Sequence, residues 1–264
     1  MKNITSTVLL FLLGVGVLSQ CGDKLEEKGF AVSPTADEDK DDPENSPDGI
    51  SNDSLSFPTR PSTVLLTGDP HYRLTTIFKV NYNRDSTSFI GSHDFHYSYN
   101  DQEDIEGNAW HGHYLPGFVA TYGYNLVNIS HYDTEKQKAK KFFPKPVLIK
   151  TLYYPSFERD TLNNKPVNRN FFMISVYDED TNKDGYINVR DLRRFYYFDI
   201  DGGNRRELVP SNYSVYKSEY DSANDFVYVF AKLDENKNGR VEEGEADHIF
   251  WVDLKDPGRT GRQY

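Results

Sequence analysis

Two twelve-residue acidic segments, 180–191 and 234–245, lie in register 54 residues apart and constrain this chain more than any other feature. The first reads D-T-N-K-D-G-Y-I-N-V-R-D and the second D-E-N-K-N-G-R-V-E-E-G-E. Both carry oxygen-bearing side chains at positions 1, 3 and 5, glycine at 6, an aliphatic residue at 8 and a carboxylate at 12. The flanks repeat as well. A shift of 54 places Met173-Ile174-Ser175-Val176 on Val227-Tyr228-Val229-Phe230, and 195–200 on 249–254. A segment that recurs together with its flanks is a structural unit, so the fold contains at least two copies of one local architecture. The strong copies span 171–210 and 226–264.

Oxygens at alternate positions around a glycine turn are what a hard cation needs, because calcium takes six to eight oxygen ligands within one tight loop. The two segments resemble EF-hand-type calcium loops. That resemblance implies bound Ca2+ with Asp180, Asn182, Asp184, the carbonyl of Tyr186, Asn188 and Asp191 as donors in the first loop. In the second the donors are Asp234, Asn236, Asn238, the carbonyl of Arg240, Glu242 and Glu245. Asp191 stands where a longer bidentate Glu is usual, and two asparagines lower the charge of the second loop. Both changes point to weak sites, with a Kd on the order of 10⁻⁴–10⁻³ M. The plainer reading of the same residues is a pair of acidic hairpin turns without metal. Two complete copies in register favour calcium.

The flanks decide the fold class. Runs rich in aromatic and β-branched residues, bounded by turn residues, predict strands. They lie at 74–80, 118–124, 126–131, 147–154, 171–177, 195–200, 213–217, 226–232 and 249–254. No stretch keeps a helical apolar period; the weakest strand assignment is 191–198, where Leu192, Phe195 and Tyr196 could share a helical face. The expectation is an all-β fold with the acidic loops inserted between strands. The order strand, loop, strand, Gly-rich turn, short basic strand resembles a blade of TolB- or WD-type β-propellers over residues 147–264. A weaker copy without a loop is expected at 124–129. The chain from Tyr72 allows three to four such units, the low limit for a closed propeller. An irregular N-terminal blade, an open stack, or a homo-oligomer that completes a ring would each reconcile the count. The first loop also looks like a dockerin loop, a scaffold-interaction module, but that family needs helices beside each loop.

The N-terminus reads as a targeting segment. Lys2 precedes an apolar run from Val8 to Leu18 that ends in Leu18-Ser19-Gln20-Cys21, which resembles a bacterial lipoprotein signal with Cys21 as the lipidated residue. Cys21 is the one cysteine, so no internal disulfide can form. Domain boundaries follow: a signal over 1–21, a disordered acidic tether over 22–62 and an all-β calcium-binding domain over 63–264. The tether reading rests on composition, since residues 22–58 hold 11 acidic and 3 basic residues and few large apolar ones. The net charge of −11 is concentrated there and leaves no basic stripe for nucleic acid. As a whole, residues 147–264 are most similar to lipoproteins of Bacteroidetes-type bacteria that carry EF-hand signatures.

Four histidines, His93, His96, His111 and His113, fall close together in sequence, but no known metal spacing fits them. The chain lacks G-x-S-x-G, H-E-x-x-H and phosphate-loop motifs. The expected function is therefore a non-catalytic calcium-binding lipoprotein of the outer membrane. It would act as a binding or structural module toward a protein or glycan, held to the membrane by its lipid. The alternatives are a hydrolase or metal-binding protein with its site in residues 85–120, and a dockerin-like interaction module.

Overall fold

A computed structural model describes residues 29–32, 57–83, 85–91 and 115–264. All regular structure among them is strand. The N-terminal part supplies β1 (Gly29–Ala31), β2 (Thr59–Leu66), β3 (Tyr72–Lys79) and the small hairpin β4 (Asn81–Tyr82) with β5 (Ser88–Phe89). Next come β6 (Phe118–Thr121), β7 (Leu126–Asp133), β8 (Lys138–Lys141) and β9 (Leu148–Pro155). A second small hairpin joins β10 (Asp160–Leu162) to β11 (Lys165–Val167). The repeated region holds β12 (Phe171–Tyr177), β13 (Tyr186–Asn188), β14 (Arg194–Asp199) and β15 (Arg206–Glu207). It continues with β16 (Tyr213–Asp221), β17 (Phe226–Leu233), β18 (Asp247–Asp253) and β19 (Thr260–Arg262).

Three antiparallel sheets carry the fold. Their strand orders are β2-β3-β7-β8, then β6-β9-β12-β14-β15, then β16-β17-β18-β19. The four strands β9-β12-β14-β15 and the four strands β16-β17-β18-β19 are the same up-and-down unit, and each acidic loop joins the second strand to the third. The weaker copy expected at 124–129 falls on β7, the third strand of the first sheet. The propeller-blade-like, all-β expectation therefore holds, and the segment 191–198 is not a helix but leads into β14.

The sheets stack face to face, and side-chain alternation shows how. Along β12, Phe171 and Met173 pack toward the third sheet with Val227, Val229 and Phe250. Phe172, Ile174 and Val176 pack toward the first sheet with Leu74, Phe78 and Ile129. Along β14, Phe195 and Tyr197 join the first set while Tyr196 and Phe198 join the second. The middle sheet is thus apolar on both faces, which is why every residue of β12 is buried. In β17, by contrast, buried and half-buried residues alternate, as expected for a sheet covered on one side. Each fully buried Phe contributes roughly 1.5–3 kcal/mol, so this double interface dominates the stability of the unit.

The expected tether over 22–62 needs correction at two places. β1 lies inside it and pairs antiparallel with β13, so that Phe30 faces Ile187 and is buried against Ile77 and Tyr177. β2 begins at Thr59, and Phe57 contacts Phe30 with ring centroids 4.8 Å apart. The physical reason is local: Gly29-Phe30-Ala31 is a short apolar island in an acidic sequence, and one buried aromatic plus a strand pairing anchors it. The two ends of the acidic stretch thus meet on the folded part. Cys21 and the signal segment lie outside the described residues.

Candidate functional site

Each acidic loop is built on the same internal set of hydrogen bonds. In the first, the Asp180 carboxylate accepts from the N–H of Asp184 at 3.0 Å and of Gly185 at 2.9 Å. In the second, Asp234 accepts from Asn238 and Gly239, both at 3.0 Å. Position 3 also accepts from position 5, through Asn182 to Asp184 at 2.9 Å and Asn236 to Asn238 at 3.0 Å. Position 5 accepts from position 7, through Asp184 to Tyr186 at 3.0 Å and Asn238 to Arg240 at 2.9 Å. The carboxylate at position 12 closes the ring from the far end: Asp191 accepts from Thr181 and Asn188, and Glu245 from Glu235 and Glu242. Backbone conformation matches as well, since Lys183 and Lys237 share φ near +57, and Gly185 and Gly239 sit at φ +85 and +73. Asp and Asn are used at these positions because a short polar side chain reaches its own backbone two residues on.

These bonds gather the position 1, 3, 5 and 12 side chains of each loop around one turn. Among the described residues, no three His, Cys, Asp or Glu side chains stand together as a ready metal site. The donor set of each loop is mixed, with amides and carbonyls beside three carboxylates, and its acceptors keep lone pairs beyond those used by the N–H groups. Such all-oxygen chemistry fits calcium or another hard cation. Burial pushes the Asp191 carboxyl above the ordinary carboxylate range, opposed by the backbone N–H groups that it accepts from. Asp178, two residues before the first loop, is pushed up the same way, opposed by the Tyr196 hydroxyl that donates to it at 2.7 Å.

The two loops, separated in sequence, touch in space. The Thr181 hydroxyl donates to the Gly239 carbonyl at 2.7 Å and accepts from the Leu192 N–H at 2.8 Å. A cleft of about 530 Å³ opens beside them, between the middle and third sheets. Its lining includes Arg190 and Arg193 from the end of the first loop, Arg240 from the second, and Lys232 from β17. This cleft had no signature in the sequence, because its walls come from separate segments spread between Tyr177 and Asp247. A buried ion pair was equally illegible: Arg169, just before β12, makes a two-pronged contact with Asp225 at 2.8 and 3.0 Å. The twelve residues expected as donors fall in two adjacent loops, and the hydrogen bonds bring together those at positions 1, 3, 5 and 12 of each. His93, His96, His111 and His113 lie outside the described residues.

Fold and loops together define an all-β protein of stacked, propeller-blade-like sheets with paired acidic loops between strands. No protein-family model matches the chain, and no curated protein does. Among solved structures it is similar to a protein assigned as a TolB from Agrobacterium tumefaciens, at 8% identity and a TM-score of 0.29. That match covers 80% of this chain and 82% of the other.

Proposed function

We propose that the chain is a non-catalytic, calcium-stabilised module of the bacterial cell envelope, anchored to the outer membrane by a lipid on Cys21. Calcium is a structural ion in this reading, one per loop. It neutralises carboxylates that the fold crowds together and fixes each hairpin against its sheet. The observation that carries the proposal is the set of backbone-to-side-chain bonds shared by two loops 54 residues apart, held between strands rather than helices. The dockerin-like alternative asks for helices beside the loops, and β12, β14, β17 and β18 stand there instead. The partner in this reading is a protein or glycan at the cell surface, and the net charge of −11 disfavours nucleic acid.

Thermal unfolding in excess calcium and in EDTA tests the metal. Ligand at a hundred times Kd adds about 2.7 kcal/mol per site. The melting temperature should therefore rise by several degrees with calcium, and less with magnesium. Asp180→Ala and Asp234→Ala should each remove part of the rise. A melting curve indifferent to both calcium and EDTA would end the calcium reading. Metabolic labelling with a fatty-acid analogue, compared with Cys21→Ser, tests the anchor separately.

A further inference from the structure

We infer that the cleft beside the paired loops is a binding site for an oxyanion-bearing ligand of about two sugar rings or two amino-acid residues. The inference does not depend on calcium. It starts from charge: a chain with a net charge of −11 lines this cleft with Arg190, Arg193, Lys232 and Arg240. Two carboxylates, Asp191 and Asp247, also reach it, and both are already engaged. Asp191 accepts from the N–H groups of Thr181, Asn182 and Asn188. Asp247 is bonded by Lys232 Nζ at 3.2 Å and by the Tyr216 hydroxyl, whose pKa is pushed up to about 12 by burial first and by that carboxylate next. The cations of the lining outnumber its carboxylates four to two, which leaves the cleft net positive.

The arginines are also arranged in depth. Arg193 is almost wholly buried, with Nε donating to the Val215 carbonyl at 2.7 Å and the guanidinium 5.8 Å from the Tyr177 ring. Arg190 and Arg240 stand at the rim and are exposed, one from each loop. A planar guanidinium fork recognises carboxylate or phosphate through two parallel hydrogen bonds, which a lysine cannot reproduce. Val189, Val241 and Tyr216 give the same cleft an apolar wall. Its volume lies within the range of small-ligand sites.

The test is calorimetric titration of the folded protein with digalacturonate, an aspartyl-glutamate dipeptide and inorganic phosphate, each carboxylate probe paired with a neutral counterpart of equal size. At least one carboxylate probe should bind about tenfold or more tighter than its neutral partner. Binding of phosphate with neither carboxylate would also support the site and would name a phosphate ester as the source. The double variant Arg190→Ala with Arg240→Ala should weaken that binding by about tenfold or more. Its circular dichroism should match the wild type, because both side chains are exposed. Removing the distant Lys145 should leave binding unchanged. Failure of all three probes, equal binding of the neutral counterparts, or unchanged binding by the double variant overturns the inference. None of these outcomes depends on whether calcium moves the melting temperature.

Discussion

Thr181 and Gly239 join the two acidic loops directly, through a hydroxyl-to-carbonyl hydrogen bond of 2.7 Å across 58 residues of sequence. The same hydroxyl accepts from the Leu192 N–H, so one side chain ties the first loop to its own exit and to the neighbouring unit. Thr181→Val keeps shape and β preference but removes both bonds. It is expected to destabilise the fold by about 1–2 kcal/mol, measured by urea denaturation. A change of a few tenths would show that the contact is incidental.

Gly239 and Gly185 occupy equivalent loop positions with similar positive φ, yet they differ in surroundings. A Cβ on Gly239 would stand 1.9 Å from the Thr181 carbonyl oxygen, whereas none of the neighbours of Gly185 comes within 4 Å. Gly185→Ala is expected to cost about 1–2 kcal/mol, from the left-handed backbone alone. Gly239→Ala must also push the loops apart, and its midpoint in thermal unfolding should fall clearly further. Equal effects from the two substitutions would mean that the loops do not press on one another.

The Arg169–Asp225 pair is buried and fully engaged, with Arg169 also donating to the carbonyls of Pro116 and Leu254. Tyr220 donates a further hydrogen bond to Asp225. Asp225→Asn preserves the left-handed turn, because Asn tolerates φ near the observed +63. It leaves a buried guanidinium without its counter-charge, which should cost about 3–5 kcal/mol in equilibrium unfolding.

His131 gives the fold a pH dependence with a defined sign. It is buried between Tyr72, Phe142 and Phe172, and its Nε2–H donates to the Ile200 carbonyl at 3.0 Å. Burial lowers its pKa below the ordinary value of 6.5. The unfolded chain therefore takes up a proton at a pH where the folded chain does not. Stability is lost as pH falls from about 6.5 toward the depressed folded value. His131→Gln should flatten the stability profile between pH 7 and 5, at the cost of a lower plateau. Parallel profiles for the two proteins would assign the acid sensitivity to other groups.

Much of this was legible in the sequence for a local reason. Phe171 to Tyr177 is a continuous apolar run and reads as a strand covered on both faces. Phe226 to Leu233 is nearly as apolar along the chain, so its one-sided burial was not legible there and came from packing alone. The Asp, Asn and Gly residues of each loop encode turns whose bonds close within a few residues. β1 was hidden because three residues in an acidic stretch carry no periodicity, and tertiary neighbours such as Ile77, Tyr177 and Ile187 make Phe30 a core residue.

The sequence by itself determined nine of the strands and the turn chemistry of the two loops, because side-chain type and turn bonding act over neighbouring residues. The tertiary structure alone decided which of these parts meet. Thr181 found Gly239, Arg169 found Asp225, and four cations gathered around one cleft because stacking two sheets brings their equivalent edges together. No residue type or spacing along the chain announces that outcome, since each partner is chosen by the packing of faces tens of residues apart.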